Sequence, residues 1–314
     1  MSEAYVHRPV MVEAVLQALR VRQGGAYVDA TLGGGGHAEA ILEASAPDGE
    51  LLGCDIDPEA VAAARSRLAR FGERARIERG SYTELSRWGA AEAWDGALFD
   101  FGASSFHFDS ARRGFSFQKE GPLDMRFDPD QEETAADLVN RADPEELARI
   151  FRELGDVRPA RRLARRIAEA RRRGSIETTR ELVSLIEETL GTRRGRIHPA
   201  TKVFMALRMA VNRELERIRE GLEAAWRLLC PGGRLVCLTF HSGEVRAVRA
   251  FGRKLAASYE THGEVDLPEF RRPRPPQLRW IARRAIRPSQ EEIAGNPRAR
   301  SAALYAMEKL EALQ

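Results

Sequence analysis

Three apolar segments in the first hundred residues each end in an aspartate, and helical patterns separate them. These strand-like segments are Ala26–Val28, Glu50–Cys54 and Gly96–Phe99, which are followed by Asp29, Asp55 and Asp100. A shorter strand is predicted at Arg76–Glu78, and helices are predicted at Pro9–Leu19, Ala38–Ala44 and Pro58–Phe71. Strands that alternate with helices at this spacing predict a parallel sheet with helices on both faces.

The alternation stops after the fourth strand. Between 109 and 198 the spacing of apolar residues predicts helices and no convincing strand, with helical patterns at 134–140, 144–154, 158–173 and 178–190. Beyond Pro199 one long helix is predicted to about Leu229, and a strand at Arg234–Phe240 ends at His241. We therefore predict an α/β fold with a doubly wound, mostly parallel sheet built from 1–108 and 199–314. A helical domain, 109–198, is inserted into it.

Four consecutive glycines follow the first strand, in the segment Val28-Asp29-Ala30-Thr31-Leu32-Gly33-Gly34-Gly35-Gly36-His37. Glycine permits a tight turn and a close approach of the backbone to a ligand. In doubly wound sheets, ligands bind outside the carboxyl ends of the strands. Asp55 stands 20 residues after Gly35 at such an end, where it can accept hydrogen bonds from both ribose hydroxyls of a nucleotide-like cofactor.

Several kinds of protein carry a glycine segment of this kind. Gly33-x-Gly35-x-x-Ala38 also fits the dinucleotide fingerprint of an NAD-dependent oxidoreductase, and a glycine turn can serve only to pack a helix on a strand. Asp29, which precedes the glycines and can pair with the amino group of methionine, favours a methionine-containing cofactor. A phosphate-binding P-loop is excluded, because no Gly-Lys-Ser/Thr follows. Tyr82, after the third strand, can stack on adenine or be a half-buried tyrosine.

Arginine is concentrated in two segments, although the formal net charge is only +3. The segment 158–173 holds eight arginines and one acid. On a helix, Arg161, Arg162, Arg165 and Arg166 share one face. That face is predicted to bind RNA phosphates, and the alternative is an ordinary solvated helix surface. The segment 271–287 holds seven arginines and no acid, and its Trp280 can stack on a base or belong to the core.

The remaining composition favours a cytoplasmic protein. No stretch approaches the ~18 uncharged apolar residues that a membrane helix needs, and 1–9 lacks the apolar core of a signal peptide. The chain has three cysteines, Cys54, Cys230 and Cys237, so that they cannot all pair within it. Reduced, buried thiols are the simplest interpretation.

Six segments in order resemble the bacterial 16S rRNA (cytosine-N4)-methyltransferases of the MraW/RsmH family, and the resemblance covers almost the whole chain. They are the glycine segment from Tyr27 to His37, Arg113-Gly114-Phe115-Ser116-Phe117, Gly121-Pro122-Leu123-Asp124-Met125-Arg126, His198-Pro199-Ala200-Thr201 with Ala206-Leu207-Arg208, Phe240-His241-Ser242, and Asn296-Pro297-Arg298-Ala299-Arg300-Ser301.

The resemblance implies a class I (Rossmann-like) methyltransferase fold, S-adenosyl-L-methionine as cofactor, and methylation of a decoding-region cytidine in the rRNA of the small ribosomal subunit. By position it implies a cofactor site formed by Gly35, Gly36, His37, Asp55, Tyr82, Asp100 and His107. To these the glycine segment itself adds Asp29 and Gly33. The family commonly has Phe at the place of Tyr82 and Gln at that of His107.

Two departures leave a second interpretation open. Phe106 stands where the family commonly has proline, and Val245 where it commonly has an acid. The chain is then either a divergent active member or a catalytically silent or re-targeted RNA-binding paralogue.

Methylation of a cytosine amine requires in-line positioning and an acceptor for the amine proton, and it requires neither a metal ion nor a covalent enzyme nucleophile. Asp100 is the predicted acceptor, with a purely cofactor-binding role as the alternative. His241 is the second catalytic candidate, since it can orient the base or relay a proton, but a histidine at a strand end can also be structural. The sequence leaves open the nucleotide, the choice between free rRNA and an assembled subunit, and the oligomeric state.

Overall fold

The computed structural model describes residues 9–192, 198–261, 267–282 and 284–311. The chain forms two compact units. The sheet unit comprises the chain up to Gly102 and from Leu215 onward, and the helical unit comprises Ala103–Glu214. No helix in the described ranges combines the length and the apolar character that crossing a membrane requires.

The strands form one large sheet and one small one. They are β1 (Ala26–Asp29), β2 (Glu50–Asp55), β3 (Ala75–Arg79), β4 (Trp94–Asp100), β5 (Leu229–Thr239), β6 (Tyr259–Thr261), β7 (Arg271–Pro273), β8 (Leu278–Trp280) and β9 (Ala303–Lys309). The large sheet has the order β3-β2-β1-β4-β5-β9-β8, in which β1 to β5 pair in parallel and β9 pairs antiparallel with β5 and β8. The small sheet is the antiparallel pair β6-β7.

The helices are α1 (Val12–Leu19), α2 (Gly36–Ala44), α3 (Pro58–Leu68), α4 (Ser105–Asp109), α5 (Ala135–Arg141), α6 (Pro144–Glu153), α7 (Ala160–Ala170), α8 (Thr179–Leu190), α9 (Pro199–Val211), α10 (Glu214–Leu228), α11 (Ser242–Ala256) and α12 (Gln290–Gly295). Several begin as their sequences predict. In α3, for example, Asp57 caps the first turn by accepting from Glu59 N, and Pro58 occupies the first helical position, where its missing N–H costs nothing.

Consecutive residues of the central strands bury their side chains in two different cores. Tyr27 and Leu98 belong to one apolar cluster, and their neighbours Val28 and Phe99 belong to another. Successive side chains of a strand point to opposite faces, so the sheet is covered on both sides. This arrangement confirms the predicted doubly wound, mostly parallel sheet.

The antiparallel end of the sheet was not predicted. β9 is almost wholly apolar and buried, but it lies at the end of the chain, where no helix–strand alternation marks it. Strand β7 lies within the arginine-rich segment 271–287 and pairs with β6. A three-residue strand carries too little sequence pattern to be recognised without its partner.

The helical unit has a core of its own, formed by apolar faces of α5 to α9. The insertion was predicted as 109–198, whereas the compact unit runs from Ala103 to Glu214 and includes α9. The buried face of α9, with Val203 and Leu207, belongs to this helical core. No strand occurs in the described part of this unit, in keeping with its helical sequence pattern.

The single long helix predicted beyond Pro199 was wrong, because it is two helices. Asn212 ends α9, and Arg213 has a φ of 48°. The Asn212 side chain donates to Met125 O (2.8 Å) and accepts from Phe127 N (2.8 Å). Tertiary hydrogen bonds to a neighbouring loop therefore stabilise the break between the two helices. The sequence has no glycine or proline there that would predict it.

Candidate active site

Polar side chains gather where neighbouring parallel strands of the sheet unit end. Asp55, Asp29 and Asp100 are the last residues of β2, β1 and β4, and His241 follows β5. These strands are adjacent in the order β2-β1-β4-β5. Because the carboxyl ends of parallel strands share one edge, these groups lie at the same edge of the sheet.

The glycine segment forms a tight turn between β1 and α2. Gly33 (φ 50°) and Gly35 (φ 79°) adopt the left-handed conformation that side chains disfavour, and Gly35 is the N-cap of α2. Asp55 Oδ2 accepts a hydrogen bond from Gly33 N at 2.8 Å, and its Oδ1 accepts from Asp57 N at 2.9 Å. Asp55 therefore fixes the shape of the turn.

Asp29 is almost completely buried, with 1% of its surface exposed. Its Oδ1 accepts from Thr31 N at 3.2 Å, and its Oδ2 has no hydrogen-bond partner among the described residues. Burial disfavours the charged carboxylate and raises the pKa of Asp29 to about 7, against a smaller opposing effect of His37. A carboxylate held this way is suited to a cationic ligand.

His37, in the first turn of α2, faces Asp100 at the end of β4. His37 Nε2 lies 3.5 Å from Asp100 Oδ2, which is close enough for an ion pair but not aligned as a hydrogen bond. Burial by itself lowers the pKa of His37, but the adjacent Asp100 and the negative charge of Asp29 outweigh it, so that the pKa is raised. Asp100 Oδ1 is buried without a partner in the described structure.

Thr31 is a site residue that the sequence did not single out. Its Oγ1 accepts a hydrogen bond from Asp100 N at 2.6 Å. The bond joins the glycine segment to the end of β4 and fixes the backbone that carries the Asp100 carboxylate. Its position two residues after Asp29 is the only signal that the sequence offered.

Tyr82 begins a short 3₁₀ helix, Tyr82–Arg87, after β3. Its ring meets Phe99 edge to face at a centroid distance of 5.5 Å. It also lies against Gly221, where a Cβ would stand 2.3 Å from Tyr82 Cδ2. The ring is therefore half-buried, and a stacking role toward adenine stays a prediction for its remaining exposed part.

His241 caps α11. Its Nδ1 accepts from Gly243 N (3.1 Å) and Glu244 N (3.4 Å). Glu244 is fully buried and accepts from His241 N (3.2 Å) and from Phe240 N (2.6 Å), which completes a reciprocal cap. His241 thus has a structural role that the sequence left as an alternative. Glu244 was missed, although its place three residues after the cap is the usual sequence signal.

His107 lies in the helical unit, where it caps the short helix α4. Its Nδ1 accepts from Ser104 N at 3.1 Å, and its ring packs between Phe115 and Phe127 at centroid distances of 4.9 and 5.0 Å. With only 6% exposed, the ring belongs to an aromatic cluster of this unit. Its predicted contact with a cofactor stays a prediction.

The arginines predicted to bind RNA lie on α7 in the helical unit. The helix spans Ala160–Ala170, shorter than the predicted 158–173, and it buries Leu163 and Ile167 on the face opposite to the arginines. Arg161 Nε lies 3.6 Å from Glu145, and Arg166 forms an ion pair with Glu188 at 2.7 Å. Arg162 and Arg165 are exposed and have no acidic partner among the described residues. All four side chains are accessible to some extent, and RNA binding by this face stays a prediction.

Trp280 was considered as a base-stacking residue, but its ring packs inside the sheet unit. A Cβ on Gly252 would stand 2.0 Å from Trp280 Cζ2, and Tyr305 meets the indole edge to face at 6.3 Å. Trp280 is therefore a packing residue of β8.

Comparison with known proteins assigns the chain to a family. Residues 4–310 match the model of the MraW methylase family. The chain belongs to the MraW methylase family. The sheet order and this membership together confirm the predicted class I, Rossmann-like methyltransferase fold.

Relatives within the MraW methylase family match over nearly their full length. A protein of Syntrophotalea carbinolica named ribosomal RNA small subunit methyltransferase H is 48% identical, and the match covers 98% of this chain and 99% of that protein. The protein of the same name from Geobacter sulfurreducens is 49% identical with the same coverage. Among solved structures, an rRNA methylase from Streptococcus thermophilus superposes with a TM-score of 0.44 at 12% identity, covering 98% of this chain and 99% of that one.

The two departures from the common MraW pattern lie in two helices, one in each unit. Val245 is a half-buried residue of α11, next to the capping residue Glu244, and the cap forms without an acid at 245. Phe106 lies in α4 of the helical unit, near the ring of His107 at 6.4 Å.

Proposed function

We propose that the protein transfers a methyl group from S-adenosyl-L-methionine to the exocyclic N4 amine of a cytidine in the decoding region of 16S rRNA. One observation carries this proposal. Asp29, His37 and Asp100 are buried at adjacent strand ends, and polar atoms of all three lack hydrogen-bond partners among the described residues. Such atoms are costly unless a ligand satisfies them. A methylase of this family has a suitable ligand in a cationic, amine-bearing cofactor.

The residues at the strand ends fit that cofactor. Asp29 offers a buried carboxylate oxygen to the amino group of methionine. Asp55 ends β2 beside the glycine turn and accepts from Gly33 N and Asp57 N, and a carboxylate at this strand end can accept from ribose hydroxyls. The turn through Gly33 and Gly35 exposes backbone at close range, where side chains would keep a ligand away. Tyr82 borders the place of the adenine.

Asp100 is the proposed proton acceptor. The lone pair of a cytosine amine is delocalised into the ring, so the amine becomes nucleophilic only as its N–H proton is drawn away. When bound, S-adenosyl-L-methionine supplies a strongly electrophilic methyl group. The unpartnered Oδ1 of Asp100 can accept the N4–H and stabilise the positive charge that develops on nitrogen. Thr31 holds the backbone of Asp100 in place for this purpose.

His241 enters the proposal as a residue that positions the base. Its Nδ1 is occupied by the amides of the helix cap, so it cannot exchange a proton at that nitrogen without losing the cap. The cap fixes the turn between β5 and α11 at the edge of the sheet where the strands end. We assign His241 to the orientation of the base through the turn that its cap holds.

The partner is the small ribosomal subunit, and the basic face of α7 supplies its electrostatic attraction. Guanidinium groups bind phosphate oxygens through two parallel hydrogen bonds and retain their charge at all physiological pH values. Arg162 and Arg165 have no acidic partner to release in the described structure, so they are the members of that face best able to bind phosphate.

The experiment uses methyl-labelled S-adenosyl-L-methionine and small subunits from a strain that lacks this gene. The product RNA is digested and the labelled nucleoside is identified. Label in N4-methylcytidine supports the proposal. Label in another nucleoside contradicts it, and no label with intact binding of S-adenosylhomocysteine identifies a silent or re-targeted paralogue. Binding of NAD in place of S-adenosylhomocysteine would identify an oxidoreductase.

The Asp100→Asn variant tests the assigned chemistry. Its side chain has nearly the same shape, but it cannot hold a proton, and we expect single-turnover methyl transfer to fall by roughly 100-fold or more. The matched control is Asp48→Asn, an exposed position on the sheet unit, which should transfer at the wild-type rate. Near-normal transfer by Asp100→Asn would remove Asp100 from the chemistry.

A further inference from the structure

His37 is a buried titratable residue that the proposed chemistry does not yet use. It is 6% exposed, and neither ring nitrogen has a hydrogen-bond partner among the described residues. Histidines placed only for packing usually satisfy at least one ring nitrogen, because an unpaired buried polar atom is costly. Here Nε2 lies 3.5 Å from Asp100 Oδ2. A small movement of either side chain would bring the two atoms into hydrogen-bond contact.

Acidic groups from three elements surround the imidazole. Asp100 comes from β4, Asp29 from β1 and Glu292 from α12, and each favours the protonated ring electrostatically. Asp55 of β2 acts on Asp29 in turn. The largest influences on the pKa values of Asp29 and His37 are burial, their mutual attraction and the neighbouring carboxylates. These acidic surroundings can therefore stabilise an added proton on the imidazole, and they disfavour a further negative charge beside it.

We propose that His37 receives, through Asp100, the proton that the cytosine amine loses during methyl transfer. The inference rests on the proposed function. In the balanced step, the N4–C bond forms as the S–C bond breaks, and the electron pair of that bond stays on sulfur. The N4 proton passes to Asp100 Oδ1, the carboxyl group turns about its Cβ–Cγ bond so that the protonated oxygen faces His37, and the proton passes to His37 Nε2, so Asp100 is again ionised. The proton leaves His37 for solvent before the next turnover.

Proton transfer to His37 explains how the buried Asp100 can lose the proton that it accepts. A carboxylic acid left at Asp100 could not take a proton from the amine of the next substrate. Transfer of the first proton to the neighbouring ring restores the carboxylate. The raised pKa of His37 agrees with a stable imidazolium beside two carboxylates. His37 does not act on the substrate itself. It is a positioning residue that restores the charge of Asp100.

The first test measures the charge of His37 directly and needs no turnover. Ring ¹⁵N shifts of the full-length protein are followed against pH by NMR, and the His37 signals are assigned by their loss in His37→Gln. We expect His37 to titrate above 6.5 in the wild type and at lower pH in Asp100→Asn, where one carboxylate is missing. A titration below 6.5 that Asp100→Asn does not move would overturn the proposal.

The second test measures methyl transfer in single-turnover reactions across pH 6 to 9 with saturating cofactor. In the wild type the rate should rise with pH as His37 loses its proton and becomes able to accept another. In His37→Gln we expect a rate roughly 10- to 100-fold lower and the loss of that pH dependence. Binding of S-adenosylhomocysteine to each variant is measured by calorimetry, so that the single-turnover rates are compared with the cofactor site filled.

The control is Glu39→Gln. Glu39 lies on the same helix α2 but pairs at the surface with Arg70 at 2.9 Å, so its rate and pH profile should match wild type. A wild-type rate and pH profile in His37→Gln would overturn the proton route while leaving the methyltransferase proposal intact. Failure of the wild type to label cytidine would instead reject the proposed function, and the NMR titration would still report whether His37 and Asp100 are coupled.

Discussion

The carboxylate of Asp55 accepts a 2.8 Å hydrogen bond from the backbone amide of Gly33, which ties the end of β2 to the glycine turn after β1. The sequence predicts Asp55 as a ribose ligand and Gly33 as part of a tight turn, as two separate features. The structure joins them. The acid that would hold the cofactor also holds the turn against which the cofactor would lie.

This double role makes a prediction for Asp55→Ala. Loss of the carboxylate removes the ribose acceptor and releases Gly33 N and Asp57 N. A hydrogen bond to a charged group contributes roughly 1.5–3 kcal/mol, so we expect S-adenosylhomocysteine to bind roughly 10- to 100-fold more weakly by calorimetry. Glu50→Gln, at the exposed start of the same strand, should bind normally. Affinity within threefold of wild type for Asp55→Ala would contradict both roles.

The buried Asp29 predicts that the stability of the protein depends on pH. Its pKa is about 7 in the folded protein and near 3.8 in the unfolded chain, so the fold favours the protonated acid. This contribution is complete below pH 4 and is lost as the pH rises to about 7. Asp29→Asn is neutral at every pH. Its free energy of unfolding relative to that of the wild type should therefore be higher at pH 8 than at pH 5, by roughly 3 kcal/mol.

Urea unfolding at the two pH values measures this difference. Asp48→Asn, at an exposed position, should differ from the wild type equally at both. If Asp29→Asn also showed equal differences at pH 5 and pH 8, Asp29 would be ionised in the folded protein across that range. Its gain in stability should come with weaker cofactor binding, because the same carboxylate is the proposed ligand for the amino group.

Variants at His241 can separate its structural role as the cap of α11 from a chemical role of its imidazole. His241→Ala removes the acceptor of two amides at the start of α11 and should cost roughly 0.5–2 kcal/mol of unfolding free energy. Asparagine is a good N-cap, so His241→Asn should recover most of that stability. Ser242→Ala, at the exposed next residue, is the control. Equal loss of stability in His241→Ala and His241→Asn would show that the imidazole does more than cap the helix.

The basic face of α7 predicts a salt dependence of RNA binding. Each phosphate contact contributes roughly 0.7–0.9 to the slope of log affinity against log salt. Replacing Arg162 and Arg165 by Gln should lower that slope by roughly 1–2 in filter-binding measurements with small-subunit RNA. The control replaces Arg149 and Arg152 of α6, which already pair with Glu153 at 3.8 and 3.3 Å. A slope unchanged in the α7 double variant would make this face ordinary surface.

The sequence predicted the parallel part of the fold because local patterns of apolar and polar residues specify its strands and helices. Apolar runs such as Leu51–Cys54 mark strands that are buried on both faces, and the acids that follow them mark the strand ends. The glycine segment predicted a tight turn, because only glycine adopts the conformation of Gly33 and Gly35 without strain. The order of the motifs then identified the family.

What the sequence by itself determined is therefore the parallel strands, the polar groups at their ends, and the membership in a methylase family. The tertiary structure decided the rest. β9 enters the sheet antiparallel beside β5, and Asn212 breaks a helix through bonds to a distant loop. His37 meets Asp100 across 63 positions of the sequence. These outcomes depend on contacts between segments far apart in the chain, and periodicity and propensity report only on neighbours.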